Sequence, residues 1–271
     1  MKSTNTSWGG VADWYDDLLK NPKGNYQRDL ILPNLMRFMD IKKGEKILDL
    51  ACGQGFFSFE FVKMNANVVG VDVGKELIDL ARSSSSANNE SKTNVRIKPE
   101  FYVSSADKLD FISNASIDKI AIVLAIQNIE NLDGVVKECA RVLKSGARLF
   151  IVMNHPAFRV LKRSSWEWDE AQKKQYRRID GYMSESREKI DMHPGTPSKG
   201  GSASGGKDYT VSFHRPLQVY FKAIAKHGLA VSRLEEWVSN RKSEPGPRAE
   251  AENATRKEIP LFLALEIVKT R

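Results

Sequence analysis

Along the chain, short apolar runs alternate with segments of helical period. Residues 46–51 (KILDLA) form a compact apolar run that predicts a buried strand, and 55–64 predict a helix. The β-branched VVGVD at 68–72 predicts a second strand. Residues 74–83 follow with Leu77, Ile78, Leu80 and Ala81 at helical spacing. Strands are predicted at 97–103 and 118–124, a helix at 131–143 stopped by Ser145-Gly146, and a fifth strand at 148–153. Helical segments are also expected ahead of this alternation, around WYDDLLK (14–20) and YQRDLILPNLMRFMD (26–40). The tract 83–94 (SSSSANNESKTN) predicts a loop.

Strands alternating with helices imply an α/β protein whose parallel sheet is covered on both faces by right-handed crossovers. The alternation breaks at residue 154. Residues 154–210 are aromatic, then charged, then low in complexity, and GTPSKGGSASGG (195–206) predicts a flexible loop. A helix at 216–227, a strand near 229–237, a polar loop at 239–258 and a strand at 260–268 (PLFLALEIV) complete the pattern. Four units follow: an N-terminal helical cap (1–45), a core (46–153), a lid-like insertion (154–210), and a final unit (211–271) that closes the sheet.

Composition changes this picture little. The longest apolar runs are strand-length, short of the ~20 residues a membrane span needs, and MKSTNTSWGG lacks the apolar core of a signal peptide. Two cysteines, Cys52 and Cys139, make no disulfide framework or metal-type pair. A reducing cytoplasm is the expected compartment. The net charge of +8 raises nucleic acid as a partner. Against it, the signs are mixed: residues 159–189 carry nine Lys/Arg and six Asp/Glu, the pattern of a solvated face.

The candidate chemistry sits on the turn after the first strand, DLACGQG. Gly53 and Gly55 allow close approach of a ligand to the backbone. The turn lacks the lysine of a phosphate-cradling loop, and Ser58 stands where a dinucleotide loop has its third glycine. Asp49 just before the glycines suits a cationic ligand better than a pyrophosphate. S-adenosylmethionine, with an amino group, a sulfonium and no phosphate, meets that demand. Asp72, at the end of the second strand, is a candidate acceptor for ribose hydroxyls. Asp107, in SSADKLDF, is a candidate for the adenine amino group, with Ala106 leaving room for the ring.

The stretches ILDLACGQG, VVGVD, SSADKLDF, DKIAIVLAIQNIEN and ARVLKSGARLFIV, in this order, resemble the class I S-adenosylmethionine-dependent methyltransferases of the small-molecule group that includes ubiquinone and menaquinone biosynthesis enzymes. The resemblance covers about half the chain. It implies a doubly wound, seven-stranded, mostly parallel Rossmann-like sheet whose last strand, PLFLALEIV, runs antiparallel beside the strand near 229–237. It also implies a donor site built from Asp49, Ala51, Gly53, Gly55, Asp72, Val73, Ala106, Asp107 and Leu124. Gln127-Asn128 departs from the family, many of whose members carry a His pair there.

Methyl transfer asks the protein mainly to orient the acceptor and exclude water, with a base only where the acceptor must lose a proton. His155 and His214 are the candidate bases, and His193 is a further histidine of the same region. Gln127 and Tyr26 are candidate acceptor contacts, and Tyr15 and Tyr26 are candidates to close over the donor. Arg178 and Arg215, with Arg177 and Arg248, are candidate clamps for an anionic substrate. The chain lacks the [DNS]-P-P-[YFW] motif used for nucleobase amino groups, and neither cysteine is placed for cytosine C5 chemistry. The expected acceptor is a small molecule. An RNA or protein methyltransferase, and a non-catalytic S-adenosylmethionine-binding subunit, are the alternatives.

Overall fold

The computed structural model describes residues 25–87, 97–191 and 209–270. Segment 14–20, Tyr15, His193 and the glycine-rich 195–206 lie outside them. The first described element is a π-turn at Gln27–Ile31 that runs into helix α1 (Leu32–Met39). The alternating core then follows: β1 (Lys46–Leu50), α2 (Phe56–Lys63), β2 (Asn67–Asp72), α3 (Lys75–Ala87), β3 (Glu100–Val103), β4 (Ile117–Val123), α4 (Leu132–Val142) and β5 (Leu143–Asn154). After β5 come β6 (Ser164–Asp169), β7 (Lys174–Ile179), β8 (Ser186–Asp191) and β9 (Tyr209–His214). Helix α5 (Leu217–Lys226), β10 (Leu229–Trp237), α6 (Ala249–Glu258) and β11 (Phe262–Lys269) end the fold.

Seven strands form one sheet in the order β10-β11-β5-β4-β1-β2-β3. β1 pairs in parallel with β2 and β4, β2 with β3, and β4 with β5, while β11 is antiparallel to both β5 and β10. The strands run outward from β1 to β3, and the chain then returns to β4 on the other side of β1. This reversal puts the carboxyl ends of β1 and β4 side by side at a switch point, where such sheets hold ligands.

The period of two divides the core between the faces. Leu48 and Leu50 of β1, Ile120 and Ile122 of β4, and Leu149, Ile151 and Met153 of β5 point to one side, which α4 and α5 cover through Val135, Val136, Cys139, Tyr220 and Ile224. Ile47, Ala121, Val123, Phe150 and Val152 point to the other, covered by Leu35, Phe38 and Met39 of α1 and Phe57, Phe61 and Val62 of α2. Burial on both faces explains the nearly continuous apolar runs of the central strands.

Two expectations need correction, and the described residues between β5 and α5 add strands that the apolar pattern does not mark: β6 and β7 form one antiparallel hairpin, and β8 pairs with β9. β9 crosses residue 211, so the insertion's pairing reaches His214. Every residue of β6 is half-buried and none is fully covered, so the hairpin lacks the apolar alternation that marks a strand in sequence. The stretch 239–258 contains α6, which buries no residue completely. Its sequence, AEAENATRKE, has helix propensity without an apolar stripe. Finally, α3 continues to Ala87, into the tract expected to be loop.

Candidate functional site

β1 ends because its next residues leave the extended region. Ala51 (φ 60°), Gly53 (φ 57°) and Gly55 (φ 82°) are all left-handed, and together they turn the chain into α2. Gly55 is the N-cap of that helix, and a Cβ there would meet the Phe101 ring at 2.7 Å. Leu124, directly after β4, is also left-handed (φ 54°). A non-glycine residue in this region carries strain, and such residues cluster at ligand sites.

Two carboxylates face this turn. Asp49 is 2 % exposed, and Ser58 Oγ donates to its Oδ2 at 2.5 Å. Burial pushes the Asp49 carboxyl up to about 7, against the Ser58 hydrogen bond and with added repulsion from Asp72. Asp72 accepts from the backbone N–H of Gly53 at 2.9 Å and of Gly74 at 2.8 Å. These bonds hold its carboxyl down, but burial outweighs them and its pKa is raised. Each carboxylate oxygen keeps a further lone pair for a ligand hydroxyl.

A cavity of about 120 Å³ opens beside this pair, lined by the turn residues Asp49 to Gln54 except Leu50, by Phe56, Phe57, Asp72, Val73 and Leu77, and by Val123, Leu124, Ala125, Asn128 and Ile129 from the end of β4. Among the described residues its charged lining is wholly acidic. Gln54 adds a buried Nε2 with no hydrogen-bond partner. An amide donor and two carboxylates fit a ligand that carries both a cationic and an acceptor group, as the amino-acid end of S-adenosylmethionine does.

A second cavity of about 210 Å³ adjoins the first and shares Leu124 and Asn128 with it. Its walls come from the π-turn (Gln27), the short 3₁₀ turn at Ile126–Asn128 (Gln127), the end of β5 and the segment after it (Asn154, Pro156, Arg159, Leu161), β8 and β9 (Ile190, Thr210, Ser212, Phe213, His214), and Arg215 and Tyr220. Ser212 Oγ donates to Asn128 Oδ1 at 2.6 Å and ties β9 to the β4 turn. Gln127 Nε2 donates to the Leu124 carbonyl at 2.7 Å, while its Oε1 is buried without a partner.

A methyltransferase-domain family model matches residues 41–187, more than half of the chain. The chain belongs to that family. It is 31 % identical over 142 residues to the demethylmenaquinone methyltransferase of Lactococcus lactis, covering 51 % of this chain and 54 % of that one. It is 25 % identical over 108 residues to a ubiquinone biosynthesis O-methyltransferase of Xanthomonas oryzae pv. oryzae, covering 40 % and 42 %. The chain thus spans about half the length of the curated relatives it matches. In fold it is similar to an S-adenosylmethionine-dependent methyltransferase from Mesorhizobium loti, with a TM-score of 0.63 at 22 % identity over 87 % of this chain and 96 % of that one.

Within this methyltransferase domain, Asp49, Ala51, Gly53, Asp72, Val73 and Leu124 line the first cavity and Gln127 the second, and beyond it His214 and Arg215 line the second as well. Others stand elsewhere. Gly55 is outside the lining, and its need for glycine comes from its φ and from Phe101. Ala106 packs into the core. Asp107 accepts from Ser105 Oγ at 2.5 Å and from Asn131 Nδ2 at 2.6 Å, away from the lining, and the Ser105 bond leads in lowering its pKa. The Tyr26 hydroxyl bonds Ser239 Oγ at 2.9 Å, and its neighbour Gln27 reaches the cavity instead.

The two candidate bases differ. Ala157 N–H donates to His155 Nδ1 at 3.2 Å, so Nε2 carries the proton and donates to Glu236 at 2.8 Å. Both nitrogens are engaged, burial lowers the ring's pKa, and His155 is not part of the lining. His214 donates Nε2–H to the Tyr182 carbonyl at 2.8 Å, which leaves Nδ1 as the acceptor nitrogen of a cavity-lining ring. Arg178 is exposed and pairs with Asp180 at 2.5 Å. Arg177 bonds the Phe158 carbonyl and Ser164 Oγ, and Arg248 pairs with Glu170 over the Trp168 ring. Arg159, which sequence reasoning missed, lines the second cavity. Its only signal was its place five residues after β5.

Proposed function

We propose that this S-adenosylmethionine-dependent methyltransferase acts on a small-molecule acceptor. The observation that carries the reading is a pair of adjoining cavities at the switch point, one with an acidic lining, meeting at Leu124 and Asn128. Asp49 would hold the donor's ammonium, Asp72 its ribose hydroxyls, and Gln54 Nε2 its carboxylate. Gly53 lets the backbone approach. Bound there, the donor supplies an electrophilic methyl: its S–C bond breaks as the acceptor's bond to carbon forms, and the electron pair stays on sulfur.

The chain's own residues orient the acceptor. Gln127 Oε1 can accept from a nucleophilic O–H or N–H, and His214 Nδ1 is the group able to take its proton. The described part of the insertion (154–191), with β9, serves as the wall that excludes water. The size of the acceptor cavity and the small-molecule substrates named for the curated relatives favour a small acceptor over a macromolecule.

Calorimetry with S-adenosylhomocysteine and with NAD tests the donor site. Binding of the first and not the second is expected, and tight NAD binding alone would overturn the reading. Transfer of a labelled methyl group into a metabolite extract, with the product identified by mass spectrometry, then identifies the acceptor.

A further inference from the structure

The two cavities carry opposite charge. The first has two carboxylates and, among the described residues, no cation. The second has Arg159 and Arg215 and, among the described residues, no carboxylate. A cationic donor in the first and a neutral acceptor in the second would leave Arg159 with no carboxylate among the described residues and Arg215 with only the exposed Glu185.

Arg215 is 6 % exposed. Its Nη2 donates to the carbonyls of Ile129 (3.0 Å) and Glu130 (2.7 Å), and its guanidinium lies 4.9 Å from the Phe213 ring centre. Those contacts lock it against the end of the β4 turn. Its Nη1 is buried and has no hydrogen-bond partner. Glu185, the carboxylate it pairs with among the described residues, stands 3.9 Å from Nε and is itself 59 % exposed, so water screens it. A guanidinium is always charged, and burying one of its donors unpaired is costly. Tyr220, which also lines the cavity, interacts with Arg215, and burial raises its pKa, so its phenol stays protonated.

Arg159 is the second cation. It lines the cavity and is also solvent-exposed, and partial burial together with Arg177 depresses its pKa. Among the described residues no carboxylate forms an ion pair with it. The rest of the wall is apolar or neutral, with Leu124, Leu161, Ile190 and Phe213.

Building on the methyltransferase reading, we propose that the acceptor is an anion. Its carboxylate or phosphate group is held by Arg215 and Arg159, and its nucleophilic hydroxyl or amine donates to Gln127 Oε1. A planar or branched carbon body between these ends fits the apolar part of the wall. Arg215 is pre-set by its carbonyl bonds, so the anion meets a donor that needs little ordering.

The test uses the full chain saturated with S-adenosylhomocysteine. Hydroxybenzoates and hydroxyphenylacetates are titrated calorimetrically beside their matched neutral amides, with phenyl phosphate and inorganic phosphate as the other anion source. At least one anion is expected to bind about tenfold or more tightly than its neutral counterpart, the preference a charge-assisted bond confers. Arg159→Gln and Arg215→Gln should remove that preference without changing affinity for S-adenosylhomocysteine. Arg148→Gln, earlier on β5, should leave it intact. Arg159 keeps the test open if Arg215→Gln fails to fold, because among the described residues its guanidinium makes no carbonyl contacts of that kind. Preference for phenyl phosphate over the carboxylates assigns the acceptor as a phosphate ester. If S-adenosylhomocysteine binds but acids and amides are indistinguishable, or no anion binds, the proposal is wrong. If S-adenosylhomocysteine does not bind, the donor reading fails instead.

Discussion

Replacing Asp49 by asparagine should move stability and donor affinity in opposite directions. In the folded protein the buried carboxyl titrates at about 7, against 3.8 for the ordinary group. Between those pH values the folded state holds a proton that the unfolded chain has released. Stability therefore falls as pH rises through that window, and the loss is complete above about pH 7. Three pH units at 1.36 kcal/mol each give roughly 4 kcal/mol as its upper size. The asparagine side chain cannot ionise but can still accept from Ser58. Asp49→Asn should thus match wild type near pH 4 and exceed it at pH 8 by up to about 4 kcal/mol. In the proposed donor site the same change would also remove a charge-assisted bond to the ammonium, about 1.5–3 kcal/mol, or roughly ten- to a hundredfold in affinity. Denaturant melts at several pH values and calorimetry with S-adenosylhomocysteine measure both. A stability difference that does not vary with pH would refute the electrostatic argument. Unchanged affinity in the variant would remove Asp49 from the donor site.

Donor affinity of the wild type should itself rise between about pH 6 and 8, because binding an ammonium expels the Asp49 proton, and pH-independent calorimetric affinity would contradict this. Asp72→Ala should weaken S-adenosylhomocysteine roughly ten- to a hundredfold and also loosen the turn, since Gly53 and Gly74 lose their acceptor; hydrogen exchange at those amides reports the second effect. Gly55→Ala should destabilise by about 1–3 kcal/mol through its left-handed φ and its collision with Phe101, and Phe101→Leu in the same chain should return part of that loss in a melting experiment. His214→Ala should lower turnover on an acceptor that must lose a proton by roughly a hundredfold while sparing donor binding. His155→Ala should instead lower the melting temperature, because that ring bridges Ala157 and Glu236.

The alternating core could be read from residue order alone, because residues buried on both faces of a sheet must be apolar whatever surrounds them. β1, β2 and β4 lie where their apolar runs put them, while β5 starts at Leu143, five residues ahead of its run; the Asp49–Gly55 turn follows from local chemistry: a carboxylate at a strand end and left-handed residues that only a turn can use. The first cavity was therefore largely legible. Asp107 shows the limit even there, since its sequence position gives no hint that Asn131, on the far side of β4, takes its carboxylate. The second cavity was legible only in part, because its walls come from separate segments spread between Gln27 and Tyr220. Arg177 and Arg178 are adjacent in a hairpin strand, and alternation sends them to opposite faces. Arg159 outranks both only because of where the chain leaves β5. His155 and His214 look alike as histidines near the reactive edge, and it took the partners of each ring nitrogen to separate them. Local sequence specifies periodicity and turn chemistry, which depend on neighbours a few residues away. Which polar side chains share a cavity, and which atoms they leave unpaired, depends on contacts between residues far apart in the chain. Arg215 and Ile129 are 86 positions apart, and their contact exists only after the sheet has assembled.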